Sequence, residues 1–138
     1  MTLTKHDVLS YFYNLLRYST VATEVSGDVY YASQRPRDSR LEDITGGFVS
    51  GLTNQIQTGV VAVCIYVPDI DPYANGVMVE NSERTAHIER VCQDWFDSIP
   101  NHGSDFVLRL QGAIDTLADE PTNHHFVSMM IHYSYFNE

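Results

Sequence analysis

The chain has little positive charge. Eight Lys and Arg stand against eighteen Asp and Glu in 138 residues, a formal charge of −10. That balance repels phosphate backbones and removes the counterion release that drives nucleic-acid binding, so non-specific DNA or RNA binding is disfavoured. The one local basic patch is "RPRDSR", with Arg35, Arg37 and Arg40. Cysteine is equally scarce. Cys64 and Cys92 each fall within an apolar pattern, so they read as small buried hydrophobes, forming neither a disulfide framework nor a metal knuckle. No apolar run approaches the roughly 18 residues a membrane span needs, and the opening MTLTKHD has no apolar signal core. The expectation is a soluble protein made in the cytosol, with no membrane partner. Internal repeats and low-complexity linkers are also missing.

What is present suits a folded chain. With 43% hydrophobic and 19% charged residues, burial can outweigh chain entropy, and the length is one domain's worth. Thr4 and Asp7 have capping-box spacing, and Val8, Leu9, Phe12, Leu15 and Leu16 line one face of a helix over about 5 to 19. "SGD" at 26 to 28 turns the chain into a short strand, "VYYASQ", that ends at Arg35-Pro36. A loop to Gly47 follows, then a strand near "FVSGLTNQI", a turn at Thr58-Gly59 and a buried strand, "VVAVCIYV". From a cap at Asn81 or Ser82, the residues Ile88, Val91, Cys92, Trp95, Phe96 and Ile99 form the stripe of a second long helix that stops at Pro100. After the turn "NHGSD", "FVLRLQGAI" alternates as a strand. "HHFVSMMIHYSYF" then reads as a long one, with Val127, Met129, Ile131, Tyr133 and Tyr135 on one face. The fold class expected is α+β in the order α-β-β-β-α-β-β: one domain over 1-138, with a mostly antiparallel sheet of about five strands, two helices on one face, and a projecting loop or hairpin at about 36-59.

Chemistry-bearing patterns fail one by one. Counted from Asp69, an EF-hand loop would have Asp71 and Glu80 at its third and twelfth positions, but Tyr73 and Ala74 stand where an oxygen ligand and a glycine are required. Pro68 and Pro72 read instead as the end of a buried strand. His87 and His132 are isolated, and neighbours on a strand such as His124 and His125 point to opposite faces, so no zinc spacing exists. Gly46, Gly47 and Gly51 have no following Lys-Ser/Thr of a phosphate loop, no G-x-S-x-G elbow is present, and both thiols sit in apolar surroundings. The sequence therefore offers no catalytic residue, cofactor or metal ligand, and an enzyme is not expected. The arginines of "RPRDSR" lie beside Asp38, Glu42 and Asp43, and should pair with them in this chain or in another copy. The second face of the last strand carries Phe126, Met130 and Phe136. That is more apolar surface than water-facing strands need, so it either meets the next copy or is buried within the chain.

"RPRDSRLEDI" followed by "QIQTGVVAVCIYVPDI" supplies an RP…ED…Q-x-G…V-x-I-x-V-P-D pattern at Arg35, Pro36, Glu42, Asp43, Gln57, Gly59, Val63, Ile65, Val67, Pro68 and Asp69. With the element order and length, this resembles the tail-completion and tail-terminator proteins of tailed bacteriophages, more narrowly a phage and prophage group from Bacteroidetes. The resemblance implies a structural virion subunit, a homo-oligomer forming a ring, as a hexamer if it is a tail terminator, at the head-proximal end of the tail or at the neck. Tail tube or neck proteins would be its partners, and DNA only passing cargo. It implies an interface through Arg35, Arg37, Arg40, Glu42, Asp43, Phe48 and Gln57. Gly51 interrupts the alternation of its strand, so the hairpin is expected to be short or bulged. The alternative is a small acidic protein-binding module, an inhibitor or adaptor, acting as a monomer or dimer.

Overall fold

A computed structural model describes residues 2–99 and 105–136. Helix α1 (Lys5–Arg17) leads into a short α2 (Thr20–Glu24) and strands β1 (Val29–Tyr31), β2 (Ile44–Leu52) and β3 (Ile56–Pro68). Helix α3 (Ser82–Ser98) then precedes β4 (Phe106–Leu110), β5 (Asp115–Asp119) and β6 (His124–Phe136). The class is α+β, as the periodicities predict. The six strands form one sheet in the order β1-β2-β3-β6-β4, with β5 also on β6, and every pairing except β1 with β2 is antiparallel.

Thr4 caps α1 as the spacing predicts: its hydroxyl accepts the Asp7 N–H at 3.2 Å and the Asp7 carboxylate accepts the Thr4 N–H at 2.9 Å. The same pair of bonds to Thr4 holds the Asp7 carboxyl below the usual carboxylate range. The helix buries Val8, Leu9, Phe12 and Leu16, and α3 buries Thr85, Ile88, Cys92 and Trp95. These stripes pack on Ile44, Val61, Val63, Ile65, Val127, Met129, Ile131 and Tyr133 of the sheet, all but Met129 and Tyr133 branched aliphatic side chains. Each such large apolar side chain contributes about 1.5–3 kcal/mol on burial, which is why two stripes and one sheet face suffice for a core. Strand alternation places the even-numbered residues of β3 and β6 on the opposite face, which no described helix covers.

Four expectations need correction. The loop after Arg35 ends at Asp43, because β2 begins at Ile44 and takes in Gly46 and Gly47. The hairpin turn lies at 53–55, and Thr58-Gly59 is inside β3. A Cβ on Gly59 would stand 2.4 Å from the Ser50 carbonyl oxygen and 2.5 Å from the Tyr133 hydroxyl, so this glycine permits a close approach across strands and makes no turn. Third, α1 stops at Arg17, and Ser19 opens the additional helix α2 by accepting the Ala22 N–H at 3.2 Å. Finally, "FVLRLQGAI" is a strand only to Leu110. The chain bends at Gly112, which has φ +84°, and returns as β5 beside the first half of β6. The hairpin is long and also bulged, since the register shifts between Phe48 and Ser50 and leaves Val49 unpaired. The expected stop at Pro100 and the start of the "NHGSD" turn lie outside the described residues.

Candidate functional site

The "RPRDSRLED" stretch folds back on itself. Asp43 is fully buried, and its carboxylate accepts the Arg35 Nε–H at 3.0 Å, the Ser39 hydroxyl at 2.5 Å and the Asp28 N–H at 3.2 Å. The Arg35 side chain is only 10% exposed, and its guanidinium lies over the Tyr66 ring with its carbon 3.9 Å from the ring centroid. Tyr66 belongs to the helix-free face, so this loop crosses one end of that face. Glu42 makes a two-point pair with Arg84 at the start of α3, at 2.6 and 2.9 Å, and exchanges bonds with Ser26. The Glu42 carboxylate raises the Arg84 pKa above its ordinary value. Arg40 donates to the Thr122 carbonyl at 2.6 Å. Gln57, also buried, clamps the N-terminal segment by accepting the Leu3 N–H at 3.0 Å and donating to the Leu3 carbonyl at 2.8 Å.

Of the residues the resemblance nominates for an interface, Arg35, Arg40, Glu42, Asp43 and Gln57 thus bond within their own chain. The structure brings Arg35 and Asp43 together, sends Glu42 to Arg84, and leaves Gln57 at the other end of β3. Phe48 is half-buried against the core, and Arg37 is exposed with no bonded partner among the described residues. The pairing of Arg35 with a nearby acid was legible in the sequence. Arg84 was not, because nothing in a helix face marks a partner 42 residues away.

The loop after Pro68 is a closed turn. Both oxygens of Asp71 accept backbone N–H groups, from Asn75 at 3.1 Å and Gly76 at 3.0 Å, and Ile70 and Val79 form an antiparallel bridge. His125 anchors the loop through Asp69 at 2.7 Å and Glu80 at 3.6 Å. Among the described residues, no three His, Cys, Asp or Glu side chains are arranged to hold a metal ion. His124 is buried with Nδ1 2.9 Å from the Thr122 carbonyl. A carbonyl only accepts, so Nδ1 carries the proton, and burial lowers the pKa of the ring. Burial also pushes the thiols up, Cys64 to about 11 and Cys92 to about 12, so neither is a nucleophile near neutrality. An open cleft of about 590 Å³ at the start of α3 is lined by Asn81, Glu83, Arg84 and His87. His87 faces Glu24 there at 3.3 Å with both side chains about half exposed, too wet to assemble a proton-transfer pair.

The helix-free sheet face has no covering helix among the described residues, and Arg35 lies over Tyr66 at one end of it. Thr45, Cys64 and Ser128 run across its middle, and Met130, His132 and Ser134 continue along β6, all but the buried Thr45 partly exposed. Toward the hairpin end the face becomes apolar, with Leu52, Ile56 and Phe136 exposed at 66%, 46% and 47%. No described helix is long and apolar enough to cross a membrane. No protein-family model matches the chain, and no curated protein is significantly similar to it in sequence.

Proposed function

We propose that this chain is a structural subunit of a tailed-phage particle, a tail-terminator or tail-completion protein that assembles into a ring at the head-proximal end of the tail or at the neck. The observation that carries the reading is the one-sided sheet. Six strands are covered by helices on one face, while the other presents exposed aliphatic and aromatic side chains around a long hairpin. A subunit that ends its fold with such a face gains by covering it with a neighbour, and a closed ring is one arrangement by which copies of one chain do so. The charge of −10 suits a collar through which DNA slides without sticking.

The acidic binding module stands as the second reading, favoured by the outward side of α3, where Glu83, Asp94 and Asp97 are exposed. Negative-stain electron microscopy of the concentrated protein separates the two. Annular particles with an open centre support the ring. Featureless particles of monomer size, together with tight binding to a basic protein, would favour the module.

A further inference from the structure

We infer that copies associate head to tail, with the apolar hairpin end of one sheet docking on the acidic 69–80 loop end of the next. This rests on the ring reading and names the two surfaces that would build it. Register fixes the first surface: Ile56 lies opposite Phe136, Leu52 opposite Thr58 and Val107 opposite Ser134, so all four apolar side chains point from the helix-free face at one end of the sheet. The next charged group on that face is Arg109, which stands across from His132, a ring that burial and Arg109 hold below its ordinary pKa. Along β2, β3 and β6 the face carries no carboxylate.

The second surface lies beyond Pro68, about 40 Å away along β3 at roughly 3.3 Å per residue. There Ile70, Tyr73, Val77 and Val79 are exposed at 38%, 77%, 60% and 37%. Asp69, Asp71 and Glu80 stand in the same loop, Asp69 and Glu80 facing His125, and β5 brings Asp119, opposite His124, to the same end of the sheet. The loop is held in shape by the Asp71 bonds, the Ile70–Val79 bridge and the His125 anchor, so little ordering entropy is lost on docking. An apolar patch edged by Arg109 at one end, and an apolar patch edged by carboxylates at the other, are complementary between copies. They cannot meet within one. Contacts of this kind are heterologous, and they close into a ring where the rotation per subunit allows.

The test uses two variants of the full chain, each spoiling one end at exposed positions. Leu52→Asp with Ile56→Asp spoils the hairpin end, and Tyr73→Asp with Val77→Asp spoils the loop end. Thermal melts and far-UV circular dichroism confirm that both fold. Sedimentation velocity should show each variant alone as a monomer, its self-association weakened at least about tenfold. An equimolar mixture should give one-to-one dimers and nothing larger, because each partner keeps one intact surface. If the loop variant assembles as the wild type does, or if the mixture stays monomeric, the pairing is overturned while a ring built otherwise stands. If the wild type itself never assembles, the ring reading falls and this inference with it.

Discussion

Asp43→Ala removes the acceptor that closes the 35–43 loop. The substitution strips one bond each from Arg35 Nε, the Ser39 hydroxyl and the Asp28 N–H, and it leaves a guanidinium only 10% exposed without its counter-charge. Breaking a buried pair from one side costs about 3–5 kcal/mol. A domain of this size has about 5–15 kcal/mol in total, so about a fifth or more of its stability should vanish. Urea unfolding at pH 7, followed by Trp95 fluorescence, should show a midpoint lowered by about 2 M, taking a slope near 2 kcal/mol per molar. The double variant Arg35→Met, Asp43→Leu removes both partners and should lose distinctly less, and the cycle through the single variants measures the coupling. A loss under about 1 kcal/mol for Asp43→Ala would refute the reasoning, since it would mean that the loop is not a brace and that Arg35 can leave it at little cost.

Three further outcomes follow from the same structure. Gly59→Ala should lower stability by about 1–3 kcal/mol, because its methyl would stand 2.4 Å from a backbone oxygen, and an unchanged thermal midpoint would contradict the close approach. With thiol pKa values near 11 and 12, native Cys64 and Cys92 should react with iodoacetamide at pH 8 at least about a hundredfold slower than in urea, and comparable rates would contradict their burial. His124 has a folded pKa depressed below 6.5, so as pH falls through 6.5 the unfolded chain binds a proton that the folded one refuses. Stability should therefore decline from about pH 7 toward pH 5, by at most about 1.4 kcal/mol per pH unit for this group, and His124→Gln should flatten the slope. An identical slope in the variant would remove His124 from the account.

How far the sequence foretold this fold varies with the kind of signal. α1, α3 and β6 were legible because a stripe or alternation sustained over thirteen or more residues has one reading. β5 was not: "DTLAD" lies at the sheet edge with only its second and fifth residues partly buried, so it has no apolar alternation to betray it. Gly59 misled because glycine marks both turns and close contacts, and the contact with Tyr133 spans 74 residues of sequence that no local pattern connects. At the candidate site, the acid neighbours of Arg35 were visible by proximity. Whether they paired within the chain depended on the loop lying back across Tyr66, which only the folded sheet reveals. The apolar character of the second face of β6 was readable. Its continuation onto Leu52 and Ile56 was not, because misplacing the hairpin turn put those residues in the wrong register.

The most direct test of the account is the mass of the wild-type protein in solution, measured by multi-angle light scattering from micromolar to near-millimolar concentration at low and high salt. The account predicts growth from the 15.7 kDa monomer to one closed species of about six subunits, weakened as salt screens the Arg109 and carboxylate contacts. A mass fixed at 15.7 kDa across the whole range would contradict it.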